Sequence, residues 1–437
     1  VGLTTASGVA ADLASVVTPG HLATDVPTCS AAAVRGVVPG VIVWPGSVQE
    51  VSRILALAHD RGLAVVPRGS GSALGIGAVP RRADIVLDLT RLDRVLEYEP
   101  ADVSLMVEAG MTLRALREAL APHRQQLPLD PPGWATRTVG GVLASNASGP
   151  LRTRYGTGRD LLLGVRIVLA DGSVVWGGSK VVKSVTGYDV PKLMVGAYGT
   201  LGVIVEAALR LHPEPWGERS WIFEVRTPAT AAALLGAMFD STLEPTRVEV
   251  LNATASARAG GADHGAMAIA VSIAGVDEAI RAQGEVLAAL AAGHGGTLRE
   301  TDAVFWTRYA DVPAPVATLR VSCLAAATVE TMVAIETAAR SHGLDAVVTG
   351  TPGAGALRAA LDGPDAVPRL APIVTALREQ LAPSGGSVVI ERCPPMPDGQ
   401  VDVWGPTGDA ELAVMRRLKL EFDPTGVLNP GRFVGGL

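Results

Sequence analysis

The sequence predicts an α+β protein in two unlike parts closed by a short returning tail, and three observations carry that prediction. Up to residue 215, short β-branched apolar runs alternate with three loops built of glycine, serine and alanine. From 216 to 407 the loops lose that glycine character, and alanine-rich helical stretches alternate with strands, the pattern of one antiparallel sheet covered by helices. After 408 an amphipathic run ends in a stretch rich in proline and glycine, too rigid to dangle. The expected domains are 1–215, 216–407 and 408–437, the last packing back onto the first.

Residues 1–40 show little periodicity and are expected to form a loose helix and a loop. Residues 41–44 form a short buried strand. Ser47 with Glu50 three positions on is a capping-box signal, opening a helix with Val48, Val51, Ile54 and Leu55 on one face. Gly62 ends that helix and 63–66 is the next strand, a β-α-β start. The first glycine-rich loop follows, through Pro67, Arg68, Gly69, Ser70, Gly71 and Ser72 to Gly77. A dinucleotide fingerprint of the usual kind needs a helix to begin inside such a loop. This loop instead runs on past Pro80 into a strand at 85–89. Without a helix dipole it reads as a nest, its 69–72 N–H groups wrapping an anionic pyrophosphate, with Arg68 and the Ser70 and Ser72 hydroxyls nearby.

Val103, Leu105 and Val107 alternate as a half-buried strand should, and Thr112 caps a helix presenting Leu113, Leu116 and Leu120. Residues 127–133 are proline-fixed backbone. The second loop, 138–149, is made almost wholly of small residues, among them Thr138, Gly140, Gly141, Ala144, Asn146, Ser148 and Gly149. Backbone amides there can press against something planar or phosphorylated. A hairpin comes next, Val165, Ile167 and Leu169 alternating before a turn at Asp171 and Gly172. The third stretch runs from Lys183 to Glu206. In it Gly187 and Gly196 precede the turn Gly199, Thr200, Leu201, Gly202, which enters an apolar strand at 203–211 through Val203 and Ile204. A tight glycine turn feeding a buried strand suits backbone laid against a flat ligand.

In the second part, strands are expected at 221–225, 247–251, 268–273 and 319–323, and near Ala346 and Val388. Helices are expected over 229–239, 277–292 and 329–341. Pro352, Gly353, Gly355, Gly363 and Pro364 mark a loop-rich excursion between the last two strands. An amphipathic helix at 412–422 leads to the tail that contains Asn429 and Arg432.

The bulk properties exclude several classes of partner. A net charge of -6 and a pI near 5.7 argue against nucleic acid, which wants a concentrated basic face. No apolar run approaches membrane-spanning length, and the first thirty residues lack the charged segment and apolar core of a secretory signal. A cytoplasmic location is expected, with any membrane association made through partners. Because the chain opens on Val1 rather than Met, a few preceding residues are expected. Cys29, Cys323 and Cys393 are far apart and fit neither a disulfide framework nor the spacing of zinc or iron–sulfur ligands. No metal site is predicted, so redox chemistry here needs an organic cofactor or a partner.

Taken together, the three loops and the tail resemble the FAD-binding domain of the vanillyl-alcohol oxidase and p-cresol methylhydroxylase (PCMH) superfamily. The residues that carry the resemblance are 67–72, Thr138 to Gly141 with 144–149, 183–205, and Asn429, Pro430, Gly431 and Arg432. Within that superfamily the chain is similar to the 2-hydroxyacid dehydrogenase branch, and to the FAD-binding subunits of bacterial glycolate dehydrogenase (glycolate oxidase) in particular. The stretch Asp402, Val403, Trp404, Gly405 before the tail fits those subunits. The resemblance implies a PCMH-type two-subdomain FAD-binding domain plus an antiparallel-sheet α+β cap. It implies that the first two loops hold the FAD pyrophosphate while 199–204 lies beside the cofactor. Covalent members attach the flavin through a histidine in or just after the first loop. Here that loop offers Ser70, Ser72 and Ala73, so the FAD is expected to be non-covalent.

Two departures matter. Metal-dependent relatives carry a His-x-Gly-Asp-Gly-Asn-x-x-His cluster, and none of this chain's seven histidines forms it. Those relatives also have Gly-Ser-Glu-Gly-Thr-Leu-Gly where this chain has Tyr198 in place of the acidic residue. Both point away from substrate oxidation by this chain acting alone. The resemblance thus implies a subunit of a multi-subunit 2-hydroxyacid dehydrogenase whose partners are a second, metal-bearing flavoprotein and an iron–sulfur protein. The rivals are a free-standing flavin oxidase and a structural subunit with a vestigial FAD site.

Oxidising a 2-hydroxyacid needs a hydride acceptor, a base for the hydroxyl proton and a cation for the carboxylate. Arg320, Arg392 and Arg308 are the candidate cations. Arg320 and Arg392 interrupt apolar strands and must point somewhere polar, the alternative being that each pairs with a structural carboxylate such as Glu391 or Asp402. Tyr188 and Tyr309 are candidates for a place near the flavin, and Tyr188 can equally order the third stretch. No base stands out.

Overall fold

The computed structural model describes residues 3–180, 187–261, 265–302, 304–312, 317–363, 366–394 and 401–437. Lys183, Ser184, Val185 and Thr186 of the third stretch, and Pro364, lie outside the described residues.

Val41–Val43, Ile85–Asp88 and Val65–Arg68 run parallel in that order in the first sheet, with Leu22–Ala23 antiparallel at its edge. Both Val41–Val43 and Ile85–Asp88 are buried throughout, as parallel strands covered on two faces should be. Helix Val48–Asp60 makes the crossover and buries Val48, Val51, Ile54 and Leu55. The Ser47 hydroxyl accepts from the Glu50 N–H (3.2 Å), but the Glu50 carboxylate reaches past the cap to the Gly46 N–H (2.7 Å). The reciprocal box suggested by the spacing is therefore half formed. Before the sheet, Leu3–Val16 is a full helix that places Val9 and Leu13 in this core.

The second sheet is antiparallel, in the order Val95–Glu99, Ser104–Glu108, Val203–Arg210, Leu162–Val168, Val174–Gly178. Val203–Arg210 lies at its centre, paired on both sides, and is buried at all but its last residue. The 138–149 stretch is not wholly loop, since Val139–Ser145 is a helix. Thr138 caps it, Oγ1 accepting from the Gly141 N–H at 3.2 Å, and Asn146 ends it in the left-handed region at φ 47°. Two glycines at its start read as loop by composition. Burial of Val139, Val142 and Leu143 in the core of this sheet overrides their helix penalty.

After Pro213 the chain enters an eight-stranded sheet in which every pair is antiparallel. Helices Pro228–Phe239, Asp277–His294, Thr328–Ser341 and Ala366–Leu381 share one core with it. The α+β class follows from these sheets and helices. The excursion expected around 352–364 is instead a strand, Ala356–Asp362, followed by the helix Ala366–Leu381. Gly355 makes the hairpin turn at φ 57°, where a Cβ would sit 2.0 Å from the Cys323 carbonyl. Alanine has little strand preference of its own, and the strand is supplied by pairing on both sides, with Asp345–Thr351 and Ala317–Ser322. Pro372 argues locally against a helix, yet Leu370, Ile373, Val374 and Leu377 are buried and hold it.

Helix Asp409–Phe422 leads into the tail, which runs beside the first sheet. The Val65 N–H donates to Val427 O (2.8 Å), and the Asn429 N–H donates back to Val65 O (2.9 Å). Buried Lys419 donates from Nζ to Asp423 Oδ2 (2.6 Å), Thr200 O (2.8 Å) and Leu428 O (2.9 Å). One cation thus ties the tail to the 199–202 turn.

Candidate cofactor and substrate site

The three small-residue stretches meet because glycine lets them touch. At Gly69 a Cβ would stand 2.0 Å from Thr138 Oγ1, and at Gly199 (φ 67°) it would stand 2.8 Å from Pro67 Cγ. Between them lies a narrow cavity of about 90 Å³. Pro67, Arg68, Gly69, Ser70, Gly71 and Ser72 line it from the first loop. Thr138, Gly140, Gly141 and Ala144 line it from the second stretch, and Gly199, Gly202, Val203 and Ile204 from the third. Asn146, Ser148 and Gly149 line a neighbouring, larger cleft. Thr200 and Asn429 stand behind the lining. Thr200 Oγ1 donates to Ala197 O (2.7 Å) and Asn429 Nδ2 to Tyr198 O (2.7 Å), so both shape the turn from its far side.

The cavity suits a pyrophosphate-bearing group. Among the described residues the N–H groups of Ser70, Gly71, Ser72 and Ala73 meet no acceptor, and Gly71 takes φ 78°. Such a run of free donors can receive an anion. Leu89, Ala109 and Met194 give it an apolar wall. Arg68 is engaged by buried Asp88, Nε to Oδ2 at 2.7 Å, which fixes the loop's start. The far end is braced by Arg432, whose Nη2 donates to Leu74 O and Ile76 O, both at 2.7 Å. Burial, with Arg35 close by, pulls the Arg432 guanidinium down to about 10. The sequence marked this arginine as part of the tail without showing that it props the loop.

Gly71, Ser72, Ser145 and Tyr198 also border a cleft of about 1610 Å³ between the first part and the large sheet. Tyr198 is the hinge of the two spaces. Its backbone is left-handed (φ 52°), and its ring packs against Trp404 (5.2 Å) and Phe433 (6.0 Å). Its hydroxyl accepts from Arg320 Nη1 at 3.4 Å. Burial raises the phenol's pKa, against the pull of Arg320.

Alternate residues of five strands roof this cleft. Thr318, Arg320 and Ser322 face it from one strand, and Ala356, Arg358 and Ala360 from the next. Arg320 and Arg358 are direct cross-strand partners. Glu391 sits between them, 3.1 Å from Arg358 Nε and 3.9 Å from Arg320 Nη1. A register shift opposite Thr318 and Leu319 lets the consecutive residues Glu391 and Arg392 both border the cleft. Arg392 is exposed and has no carboxylate partner among the described residues.

Two other candidates lie elsewhere. Tyr188 is 94% exposed and borders neither space. Arg308 binds Asp302 through Nη2 at 3.0 Å, outside the lining. Tyr309 does border the cleft, donating to buried Glu249 Oε2 at 2.6 Å, while Thr351 Oγ1 donates to Oε1 at 2.6 Å. Burial pushes the Glu249 carboxyl up to about 7. Sequence reasoning missed Arg137, Arg152, Arg358 and Glu249. For Arg358 the usable signal was its alternation with Ala356 and Ala360; for Arg137, its place just ahead of Thr138.

Comparison with known families fits this geometry. The FAD binding domain family matches residues 39–178, and the C-terminal domain of FAD linked oxidases matches 406–433. The chain contains an FAD-binding domain. FAD is accordingly its cofactor. Over its whole length this FAD-binding chain superposes on p-cresol methylhydroxylase with a TM-score of 0.80, covering 99% of this chain and 97% of that one. At 15% identity that likeness is one of fold, the PCMH-type fold. Glycolate oxidase subunit GlcD of Bacillus subtilis (strain 168) is 30% identical over 214 residues, 49% of this chain and 46% of the relative. A D-lactate dehydrogenase of Archaeoglobus fulgidus is 40% identical over 174 residues, 40% of this chain and 39% of the relative. The matches thus span under half the length of these curated relatives. Among the described residues no helix is long and apolar enough to cross a membrane, and no group of three or more His, Cys, Asp or Glu side chains is placed to hold a metal.

Proposed function

We propose that this chain binds FAD without a covalent bond and serves as the FAD-binding subunit of a multi-subunit dehydrogenase of 2-hydroxyacids of the glycolate and D-lactate kind. The observation that carries this reading is the meeting of the free N–H nest at 70–73 with an arginine-lined cleft across Tyr198. The nest and Gly140 and Gly141 take the pyrophosphate side of the cofactor, and 199–204 lies along it. Bound FAD supplies a hydride acceptor for the substrate's α-carbon. Arg320 and Arg358 hold the substrate carboxylate, with Glu391 supplying a negative charge beside both guanidiniums. The first loop presents Ser70, Ser72 and Ala73 where covalent members carry a histidine, which supports a non-covalent attachment. The name of the Bacillus relative, a subunit, supports assembly with others, for which an iron–sulfur protein and a second flavoprotein are the proposed partners.

The test is purification of the chain alone and together with the products of neighbouring genes, followed by anaerobic addition of glycolate or D-lactate. A yellow chain whose flavin is reduced only in the complex supports the subunit reading. Reduction by the single chain with peroxide formed in air supports a free-standing oxidase instead. A colourless chain that takes up no FAD supports a structural subunit.

A further inference from the structure

Of the acids that border the cleft, Asp130 and Glu218 pair with Arg247, Glu391 lies beside Arg358 and Arg320, and Asp311 is exposed. Glu249 differs from all of them. It is 1% exposed, and no Arg, Lys or His forms an ion pair with it among the described residues. Its two oxygens accept instead from hydroxyls, Tyr309 Oη and Thr351 Oγ1, each at 2.6 Å. Burying an acid on such terms is costly, and acids kept so are common where protons are handled. Burial raises its pKa to about 7; the two hydroxyls and the charge of Arg152 oppose the rise, and the charge of Asp130 adds to it. Arg152 in turn feels Asp160 and Arg320.

The Tyr309–Glu249 pair is in register with the arginines proposed to hold the carboxylate. Arg320 is the direct cross-strand partner of Arg358, and Arg358 of Thr349, so the three stand in one row across adjacent strands. Thr349 and Thr351 both border the cleft from one strand, and Glu249 meets Thr351 from the next. Helix Phe305–Ala310 packs on this side of the sheet and brings Tyr309 to it, the ring edge-on to Trp306 at 5.5 Å. Burial and the Glu249 charge raise the pKa of the phenol, and a hydrogen bond with the Thr349 side chain acts in the opposite sense. Tyr309 thus joins the row beside Thr349, one strand spacing of about 4.8 Å from Arg358.

We propose that Tyr309 and Glu249 together are the proton acceptor for the substrate's 2-hydroxyl: Tyr309 takes the proton on Oη and passes its own to Glu249 Oε2. The proposal rests on the hydroxyacid reading above and names the base which that reading lacks. The α C–H bond breaks with both its electrons and its hydrogen going to FAD, the hydroxyl O–H bond breaks, and the C–O bond becomes C=O. The released proton reaches Tyr309 Oη as the Tyr309 proton crosses its 2.6 Å hydrogen bond to Glu249, so the phenol stays neutral and Glu249 becomes so. Glu249 then returns the proton to water before the next turnover. A phenol oxygen suits this place because it donates one hydrogen bond and still accepts others. An acid that titrates near neutrality is matched to receive a proton there. Tyr309 is the catalytic residue, and Glu249 acts through it.

Calorimetric titration of the FAD-loaded protein with 2-hydroxy-2-methylpropanoate and with 2-methylpropanoate tests the hydroxyl contact without turnover. The first has the carboxylate and the hydroxyl but no α-hydrogen to lose, and the second is the same acid without the hydroxyl. Well above the Glu249 pKa of about 7 the hydroxy acid is expected to bind about tenfold more tightly, the size of one charge-assisted hydrogen bond. That preference should shrink as pH falls through about 7 and be absent in Tyr309→Phe, with 2-methylpropanoate bound as before. In Glu249→Gln, anaerobic reduction of the flavin by glycolate or D-lactate should slow by about a hundredfold or more and no longer rise through that pH. Equal affinity for the two probes, a preference kept in Tyr309→Phe, or a Glu249→Gln protein reduced with the parent's rate and pH profile overturns the proposal. The parent's own pH dependence decides where a variant does not fold. If neither probe binds and neither hydroxyacid reduces the flavin of the chain or its complex, the hydroxyacid reading falls as well. Flavin that is reduced without any preference between the probes refutes the proton acceptor alone.

Discussion

Glu249→Gln removes a pH dependence of stability whose sign follows from the burial of this carboxyl. Glu249 is 1% exposed and receives hydrogen bonds from Tyr309 Oη and Thr351 Oγ1, each at 2.6 Å. Burial raises its pKa from 4.5 to about 7, the two hydroxyls acting in the opposite sense. An acid whose pKa is raised on folding binds its proton more tightly in the folded state. Its contribution to stability is therefore full below the unfolded value and is lost as pH rises toward the folded one. The gap between 4.5 and about 7 is worth about 3 kcal/mol. Gln has nearly the same shape, does not titrate, and can accept from one hydroxyl while donating to the other. Urea unfolding at pH 5 and pH 8, two values chosen to bracket the shifted titration, should thus show the variant gaining most of that ~3 kcal/mol relative to the parent as pH rises. Parallel profiles, or a parent that gains on the variant at the higher pH, would refute the reasoning.

Gly69→Ala puts a methyl 2.0 Å from Thr138 Oγ1 and forces the first two loops apart, so the purified variant should carry little flavin while losing only about 1–3 kcal/mol of stability, as measured by flavin content and urea unfolding. Lys419→Met leaves buried Asp423 without its cation and two carbonyls without their donor. Thermal unfolding should show a loss of about 3–5 kcal/mol, with FAD released at lower denaturant than in the parent. Tyr188→Ala removes a side chain that is 94% exposed, and both flavin content and melting temperature should stay where they are.

Local signals carried the first part of the chain and faded in the second. The helix cap at Thr112, the glycine turn at Gly199 and the central strand Val203–Arg210 were legible because each is determined by neighbours in sequence. The first glycine-rich loop was legible as a loop for the same reason, since a run of small residues is a local property; the sequence put its donors at 69–72, and the N–H groups that meet no acceptor among the described residues are those of 70–73. The helix Val139–Ser145 was not, because its glycines say loop and only the core behind it says helix. Ala356–Asp362 failed likewise, being a strand by virtue of partners on either side. The same non-locality hid the cleft. Arg320 looked like an isolated charge in an apolar run, and only strand pairing shows Arg358 opposite it and Glu391 between them. Tyr188 was a candidate through its place in the third stretch, which says nothing of exposure.

The central claim is that three small-residue stretches and a returning tail grip one FAD. An absorption spectrum of the chain purified alone, followed by acid precipitation, addresses it most directly. The account predicts flavin bands and a yellow supernatant whose chromophore is FAD. A colourless chain that takes up no added FAD would contradict the claim, and colour that stays with the precipitate would contradict the non-covalent attachment.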